Sequence, residues 1–258
     1  EVLGKNTDSN LKDYWYITGK AIKDQKTGVY TVYGVPTAVA VDGIVYNKAV
    51  FKKAGYNQFP KTQKDWYEAS KKLVKLGVVP LGINFANKWP LSCWDSMAMV
   101  IHKKGDYWIN IYKDSSPFDL NKPHGKSFDI LYNFVHNNWV EKDISTTNWE
   151  QSKSDLGEGR IAAMILGSWA IPQMQQFAPN KNDIGFAAIP VDNSGKLYAV
   201  VGADYYLGVS KKSKFKKEAK DFLYAFVNSN YADSQGFLSP KKGKTPTNPV
   251  LKDFMNSG

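Results

Sequence analysis

Apolar residues recur along this chain in short runs that are typical of β-strands and are bounded by turn residues. Residues 31–47, "TVYGVPTAVAVDGIVYN", contain two such runs with Asp42 and Gly43 inside, which predicts a strand, a bend and a second strand. Further strands are predicted at 78–86 ("VVPLGINFA"), 160–166 ("RIAAMIL"), 184–190 ("IGFAAIP") and 198–210 ("YAVVGADYYLGVS"). Residues 1–30 are polar and weakly patterned, and the tail after Gly236 is too rich in proline, glycine and lysine to be core.

Three segments have the period of an amphipathic helix. In "FPKTQKDWYEASKKLVKLG", Thr62 is the expected N-cap, Asp65 follows as in a capping box, and Gly77 is the expected C-terminal cap. The predicted core faces are Trp66, Ala69, Leu73 and Leu76 in this helix, Phe128, Leu131, Tyr132 and Val135 in the next, and Ala219, Phe222, Leu223, Phe226 and Val227 in the last. Helices that alternate with strands predict an α/β layer architecture.

Composition narrows the classes of protein that fit. The 258 residues are 43% hydrophobic and 22% charged, as in an ordinary soluble globular protein, and no apolar stretch approaches the ~20 residues of a membrane span. The net charge is +10, but Arg160 is the only arginine and the lysines are dispersed. Because arginine makes the bidentate contacts that nucleic-acid readers favour, we expect no nucleic-acid partner, and we expect "KKSKFKK" at 211–217 to be a solvated face.

Metal and nucleophile motifs are absent from the sequence. His102, His124 and His136 do not form a ligand pair at helical spacing with a third donor, and the single Cys93 is expected to be a small buried hydrophobe. No Gly-x-Ser-x-Gly elbow and no glycine-rich phosphate loop occur. The sequence therefore predicts no metal, no cofactor and no catalytic nucleophile.

Paired carboxylates leave one enzymatic alternative open. Glycoside hydrolysis needs two carboxyl groups that meet in space and need not be close in sequence. The candidates are Asp95, Asp155, Glu158 and Asp204, and nothing in the sequence separates them from solvated acids.

Aromatic residues make up 14% of the chain and include 8 tryptophans, several of them beside turn residues at predicted strand ends, as in "NKWPLSCWD" and "GSWA". Ligands of open α/β sheets collect at such ends. There a ring can stack on a sugar while neighbouring polar groups take its hydroxyls. Gly167 and Ser168 are expected to turn the chain and leave room for a ligand near the backbone. Trp169 would then begin a helix that tolerates Pro172 only in its first turn.

The order of these segments resembles the extracellular solute-binding proteins of bacterial ABC importers, in the carbohydrate-binding group that includes maltose-binding-protein-like members. The agreement extends from about residue 33 to residue 229. The residues that carry it are Pro36, Tyr46-Asn47-Lys48, Phe51-Lys52-Lys53-Ala54-Gly55, Pro60-Lys61-Thr62, Gly159-Arg160-Ile161-Ala162-Ala163-Met164 and Gly167-Ser168-Trp169.

The resemblance implies an α/β, periplasmic-binding-protein-like class II fold with two lobes and hinge strands near 36–45 and 198–202. It implies that residues 1–40 are a partial first lobe with the first hinge strand and that 41–200 are a nearly complete second lobe. Residues 201–245 would return to the first lobe, and 246–258 would start a C-terminal tail. The first lobe is then truncated, and we expect the chain to be a fragment of a longer binding protein.

The resemblance also implies a non-catalytic subunit of an ABC sugar importer that binds a mono- or oligosaccharide in an interlobe cleft. The positions that match ligand-binding positions are Trp169, Asp204 and Trp89, with Trp94, Asp95 and Tyr205 nearby. Ala40 stands where some relatives have a carboxylate on the first hinge strand.

Expected partners are the sugar and the permease subunits. The expected location is the outer face of the cell membrane, through a lipid anchor outside this chain, or the periplasm. A receptor for another small solute, such as a polyol or peptide, and a glycoside-active enzyme are the alternatives.

Overall fold

The computed structural model describes residues 13–15, 21–23, 26 and 30–256. The chain divides into two compact units, one of Glu1–Val41 with Val201–Lys252 and one of Asp42–Val200 with Asp253–Gly258. Most of the weakly patterned stretch 1–30 lies outside the described residues.

In the described residues the first four strands are consecutive, a run of helices follows, and strands and helices are mixed after that run. The strands are β1 (Ala21–Lys23), β2 (Tyr30–Val32), β3 (Val35–Pro36), β4 (Val39–Asn47), β5 (Ala163–Gly167), β6 (Ile184–Ala187), β7 (Val200–Ala203) and β8 (Tyr206–Leu207). The α-helices are α1 (Lys48–Lys53), α2 (Gln63–Lys75), α3 (Cys93–His102), α4 (Tyr107–Asn110), α5 (Pro123–His136), α6 (Trp149–Gly157), α7 (Ala170–Gln175), α8 (Lys216–Asn228), α9 (Tyr231–Ser234) and α10 (Pro249–Asn256). Short 3₁₀ helices occupy Phe85–Asn87, Trp89–Ser92, Ile111–Lys113 and Lys181–Asp183.

The sheet of the Asp42–Val200 unit is built around β4, which pairs with β5 on one side and β6 on the other, both antiparallel. The bend predicted at Asp42 and Gly43 is wrong, because β4 runs through both residues without a break. Gly43 serves packing instead: a β-carbon there would lie 2.5 Å from the Ala187 carbonyl oxygen and 2.7 Å from the Phe186 ring. β7 also pairs with β4.

Helix α2 begins and ends as its sequence predicts. The Thr62 hydroxyl accepts the Asp65 N–H at 3.1 Å and donates to the Asp65 carboxylate at 2.7 Å. Gly77 follows the helix with φ of +73°, which favours glycine. Trp66 is fully buried, with its ring centroid 4.6 Å from that of Phe134. The assignment of Leu76 to the core face is wrong, because Leu76 is exposed.

Helices α5 and α8 form where the period predicts them; the buried face is assigned wrongly in α5 and is largely confirmed in α8. In α5 the side chains of Phe128, Tyr132 and Val135 are exposed, and the buried stripe is instead His124, Ser127, Ile130 and Phe134. In α8, Leu223 and Val227 are buried and Ala219 and Phe226 pack against the same core, as predicted, whereas Phe222 is exposed.

The strand predicted at 78–86 is reduced to two isolated parallel bridges, Val79 with Ile161 and Gly82 with Met164. Pro80 lies between them and has no N–H to continue the ladder. The N–H of Leu81 donates to the Trp139 carbonyl instead. The chain then enters the 3₁₀ helices that lead to α3.

The other unit has a separate core. Its strands pair antiparallel as β1 with β2 and β3 with β8. The core residues are Tyr14, Val32, Val35, Val209, Leu223 and Val227. The prediction that the tail after Gly236 contributes nothing to a core is wrong, because Phe237 and Leu251 are buried and Leu238 exchanges both backbone hydrogen bonds with Val39 at 2.9 Å.

Candidate ligand-binding site

Three tryptophan side chains of the Asp42–Val200 unit converge on one another. Trp89 begins the 3₁₀ helix Trp89–Ser92, Trp149 begins α6, and Trp169 is the N-cap residue of α7. The ring centroids of Trp89 and Trp149 are 4.8 Å apart, those of Trp89 and Trp169 5.6 Å, and those of Trp149 and Trp169 5.9 Å. We call these three residues the tryptophan cluster. Trp89 is 39% exposed, so the cluster presents an indole to solvent.

The position of Trp169 follows from the end of β5. All of β5 and Ser168 are buried, and α7 begins directly after Trp169 with Pro172 in its first turn, as predicted. The role expected for Gly167 is wrong. A β-carbon at Gly167 would overlap with the Trp169 indole, so the space beside this glycine is filled by that ring.

Trp149 is a cluster residue that sequence reasoning missed. Asn148 is the N-cap of α6, and its side chain accepts the Gln151 N–H at 3.2 Å. The ammonium group of Lys153 lies 5.7 Å from the centroid of the Trp149 ring. In "TTNWEQS", as in "GSWA", a tryptophan follows a polar residue at the start of a helix. This shared pattern is the sequence signal that points to Trp149.

Asp42 is a second residue that sequence reasoning missed. It lies on β4 directly opposite Gly167, and the Ser96 hydroxyl donates to its Oδ2 at 2.6 Å. Burial raises the pKa of Asp42 above its usual value, and the hydrogen bond from Ser96 opposes that rise. A half-buried carboxylate beside the Trp169 turn is an acceptor for hydroxyl groups. The sequence did not single out Asp42 as such an acceptor, because an aspartate followed by a glycine is also typical of a turn.

Asp95 lies in the first turn of α3 and contacts a buried imidazole. His124 Nε2 is 3.3 Å from Asp95 Oδ1, and the Tyr107 hydroxyl is 2.5 Å from His124 Nδ1. A carboxylate only accepts, so Nε2 of His124 donates to Asp95; in the tautomer with its proton on Nε2, Nδ1 accepts from the Tyr107 hydroxyl. Burial is the largest cause that raises the pKa of Tyr107, which keeps the phenol protonated. One oxygen of Asp95 remains for other donors.

Trp94 is placed in the core, where its side chain is 2% exposed and its carbonyl accepts from the Ser127 hydroxyl at 2.9 Å. A ring enclosed in this way offers no face to a ligand. Its neighbour Cys93 is half-buried, and burial, with Asp42 and Asp95 nearby, raises the pKa of its thiol to about 12. The thiol stays protonated at neutral pH and is a poor nucleophile.

Asp204 and Tyr205 belong to the other unit, in the turn between β7 and β8. The Asp204 N–H donates to the Ala38 carbonyl at 3.0 Å. The Tyr205 carbonyl accepts from the Thr37 N–H at 2.8 Å, and its side chain is exposed. These contacts fix the backbone of the turn. The structure thus brings Trp89 and Trp169 together and places Asp204 and Tyr205 in a separate unit.

Within the part of the chain that the structure describes, no three histidine, cysteine or acidic side chains come together as a metal site would require. Across the same residues, no helix is both long and apolar enough to cross a membrane.

The chain is similar to known proteins over nearly its whole length. A family described as bacterial extracellular solute-binding protein matches residues 2–232. The multiple sugar-binding protein of Streptococcus mutans is 25% identical in a match that covers 93% of this chain and 62% of that protein.

Two solved structures from Bifidobacterium animalis subsp. lactis are also similar. A manno-oligosaccharide-specific solute-binding protein, in complex with mannotriose, is 31% identical with a TM-score of 0.82. A binding protein of an ABC transporter, in complex with mannobiose, is 28% identical with a TM-score of 0.79. Each match covers 95% of this chain but only 59% and 62% of the relative. The chain therefore spans about three fifths of these relatives.

Proposed function

Because the chain belongs to the family of bacterial extracellular solute-binding proteins, we propose that it is the sugar-binding subunit of an ABC importer. Its fold is the α/β, periplasmic-binding-protein-like class II fold of two-lobe sugar-binding proteins. The observation that carries the proposal is the tryptophan cluster, in which rings from three separate helix starts meet at the protein surface.

The chemistry of the cluster suits a carbohydrate. The C–H face of a pyranose is apolar and stacks on an indole, while its hydroxyls need polar partners. Trp89 supplies the exposed indole, and Trp169 stands beside it. We assign the carboxylates of Asp42 and Asp95 to sugar hydroxyls. Asp204 and Tyr205, which belong to the other unit, stay predicted ligand-binding residues. Trp94 is left out because it is buried.

We assign a short oligosaccharide as the ligand, with manno-oligosaccharides as the first class to test. The two solved relatives described above hold mannotriose and mannobiose. Trp89 is exposed and Trp149 and Trp169 beside it are half-buried, so more than one indole can contact a sugar. Both features favour a di- or trisaccharide over a monosaccharide.

Calorimetric titration of the full chain with mannobiose, mannotriose, raffinose and glucose tests this function. We expect saturable binding of an oligosaccharide. Trp169→Ala should raise its Kd by about 30-fold, because the lost contact of one indole face is worth about 2 kcal/mol. Asp42→Asn should also weaken binding, since an amide accepts hydroxyl donors less strongly than a carboxylate.

Tyr132→Ala is the matched control, because Tyr132 is an exposed aromatic residue of the same unit whose ring lies against His136, away from the cluster. It should leave the Kd unchanged. Equal affinity of the Trp169→Ala variant and the natural protein would reject the cluster as the sugar site. If the protein binds a polyol or a peptide and no saccharide, a sugar is not its ligand, but its proposed function as a solute receptor still holds.

The role is that of a receptor and not of an enzyme. Relatives of this chain are described as binding proteins. Incubation of the protein with the oligosaccharide that it binds should leave that sugar intact in chromatography. Accumulation of hydrolysis or transfer products that Asp95→Asn or Asp204→Asn abolishes would favour a glycoside-active enzyme instead.

We place the protein outside the cytoplasmic membrane, on the cell surface or in the periplasm, as the family's description implies. The sugar-bound form would then be recognised by the permease subunits of the importer. Recognition depends on a conformational difference between the free and the bound protein, because a partner must distinguish the two.

A further inference from the structure

The turn that carries Trp89 contains two residues in strained backbone conformations. Asn84 has φ of +51° and ψ of +48°, and Lys88 has φ of +62° and ψ of −50°. Neither is glycine. Asparagine tolerates the left-handed region, but a lysine with these angles, which approach those of a rare γ-turn, is unfavourable by about 1–3 kcal/mol. Contacts from elsewhere in the fold must therefore hold this turn.

The carboxylate of Glu141 supplies such contacts. Its Oε2 accepts the Ile83 N–H at 2.9 Å and its Oε1 accepts the Asn84 N–H at 2.8 Å. Both oxygens of one half-buried side chain therefore hold two consecutive N–H groups at the start of the turn. Hydrogen bonds to a charged acceptor are about twice as strong as neutral ones.

The segment that follows Glu141 makes further contacts with the same turn. The Thr147 hydroxyl accepts the Ala86 N–H at 3.0 Å. The Asn84 side-chain amide donates to the Ser152 hydroxyl of α6 at 2.9 Å. Trp149 begins α6, so the turn that carries Trp89 and the helix that carries Trp149 are connected by side-chain hydrogen bonds.

We infer that Glu141 is a positioning residue of the sugar site: its two hydrogen bonds hold the strained turn so that Trp89 meets Trp149. This inference rests on the proposed function for its effect on sugar affinity. Its effect on the geometry of the tryptophan cluster does not depend on whether a sugar binds.

The test uses the full chain and two measurements. Indoles at the distances of the cluster couple, and their coupling gives a pair of opposite bands in the far-ultraviolet circular dichroism spectrum. Trp149→Phe removes one indole of the cluster, so the difference between its spectrum and that of the natural protein is the signal that the cluster produces. Sugar affinity is measured by calorimetry with the oligosaccharide that the natural protein binds.

Glu141→Gln keeps the size of the side chain but turns one acceptor into an amide that faces a backbone N–H. We expect this variant to lose most of the cluster signal and to bind the sugar about tenfold more weakly. Glu141→Asp, which retains the charge but is shorter, should recover part of both. Glu68→Gln is the matched control, because Glu68 is exposed and pairs with Lys71 on α2. It should change neither measurement.

A Glu141→Gln variant that is less stable but keeps the cluster signal and the affinity would overturn the inference, because Glu141 would then be merely structural. If Glu141→Gln does not fold, Thr147→Val removes another contact to the same turn and should reduce the cluster signal. An unchanged signal in that folded variant would also overturn the inference. If the natural protein binds no saccharide, the proposed function fails, and the circular dichroism comparison still decides the role of Glu141.

Discussion

A methyl group on residue 167 would occupy the space that the Trp169 indole fills. Glycine at this position therefore lets the ring fold back against the end of β5. Gly167 on β5 pairs with Asp42 on the neighbouring strand β4. One small residue, directly opposite Asp42 in the sheet, thus leaves room for an aromatic ring.

Gly167→Ala should displace the Trp169 indole and weaken sugar binding. We also expect the free energy of unfolding to fall by about 1–3 kcal/mol, as is usual when atoms are added to a packed site. Calorimetric titration and urea unfolding measure the two effects. Gly105→Ala is the control, because a β-carbon at Gly105 meets no atom within 4 Å. A folded Gly167→Ala variant with natural affinity would show that the indole position is irrelevant to binding.

Helix α5 shows why an element can be predicted while its buried face is not. Its sequence contains two stripes at helical spacing, one with Phe128, Tyr132 and Val135 and one with Ile130 and Phe134. The first is richer in large apolar residues, so periodicity selects it. The structure buries the second: Ile130 and Phe134 join the core, and the Phe134 ring packs against Trp66 of α2 and Trp139.

Polar residues take part in that buried stripe because each finds a partner. The Ser127 hydroxyl donates to the Trp94 carbonyl, and His124 contacts both Tyr107 and Asp95. A buried polar group with a hydrogen bond costs little. Sequence periodicity counts such residues as exposed, and only the neighbouring helix shows that they are not.

Phe134→Ala should lower the free energy of unfolding by about 3–5 kcal/mol, because Phe134 is fully buried and the substitution leaves a cavity. Phe128→Ala on the same helix should cost less than about 1 kcal/mol, because Phe128 is 42% exposed. Urea unfolding of both variants makes the comparison. The opposite order would mean that α5 packs through the face that periodicity favours.

At the scale of the whole molecule, β4 and β7 connect the two units. Residues Val39–Val41 of β4 belong to one unit and the rest of that strand to the other, and β7 crosses between Val200 and Val201. We propose that the units are the lobes implied by the resemblance and that these strands are the hinge. A sugar that binds a closed form more tightly than an open one would shift the protein toward closure.

Small-angle X-ray scattering tests this closure. The radius of gyration should decrease when the oligosaccharide is added at saturating concentration. The Trp169→Ala variant at the same sugar concentration should show a much smaller decrease, since it binds weakly. Saturable binding by the natural protein with no change in the radius would reject closure while leaving the sugar site in place.

Much of the fold follows from local pattern alone. Thr62 and Gly77 bound α2, the apolar runs identify β5 and β6, and Trp169 begins α7 as predicted. These features depend on contacts between residues close in the chain, so the sequence contains their cause. The two-lobe fold was predicted from the family resemblance, because the motifs that carry the resemblance, and their order, can be read directly in the sequence.

The tertiary structure decided what depends on distant residues. It brought Trp149 together with Trp89 and Trp169. It showed that Asp42 lies within a strand as a half-buried carboxylate, and that Trp94 lies in the core. It also joined Glu141 to the turn that carries Trp89. The physical reason is the same in each case: burial and hydrogen bonding are set by partners far away in sequence, whereas periodicity and capping are set by neighbours.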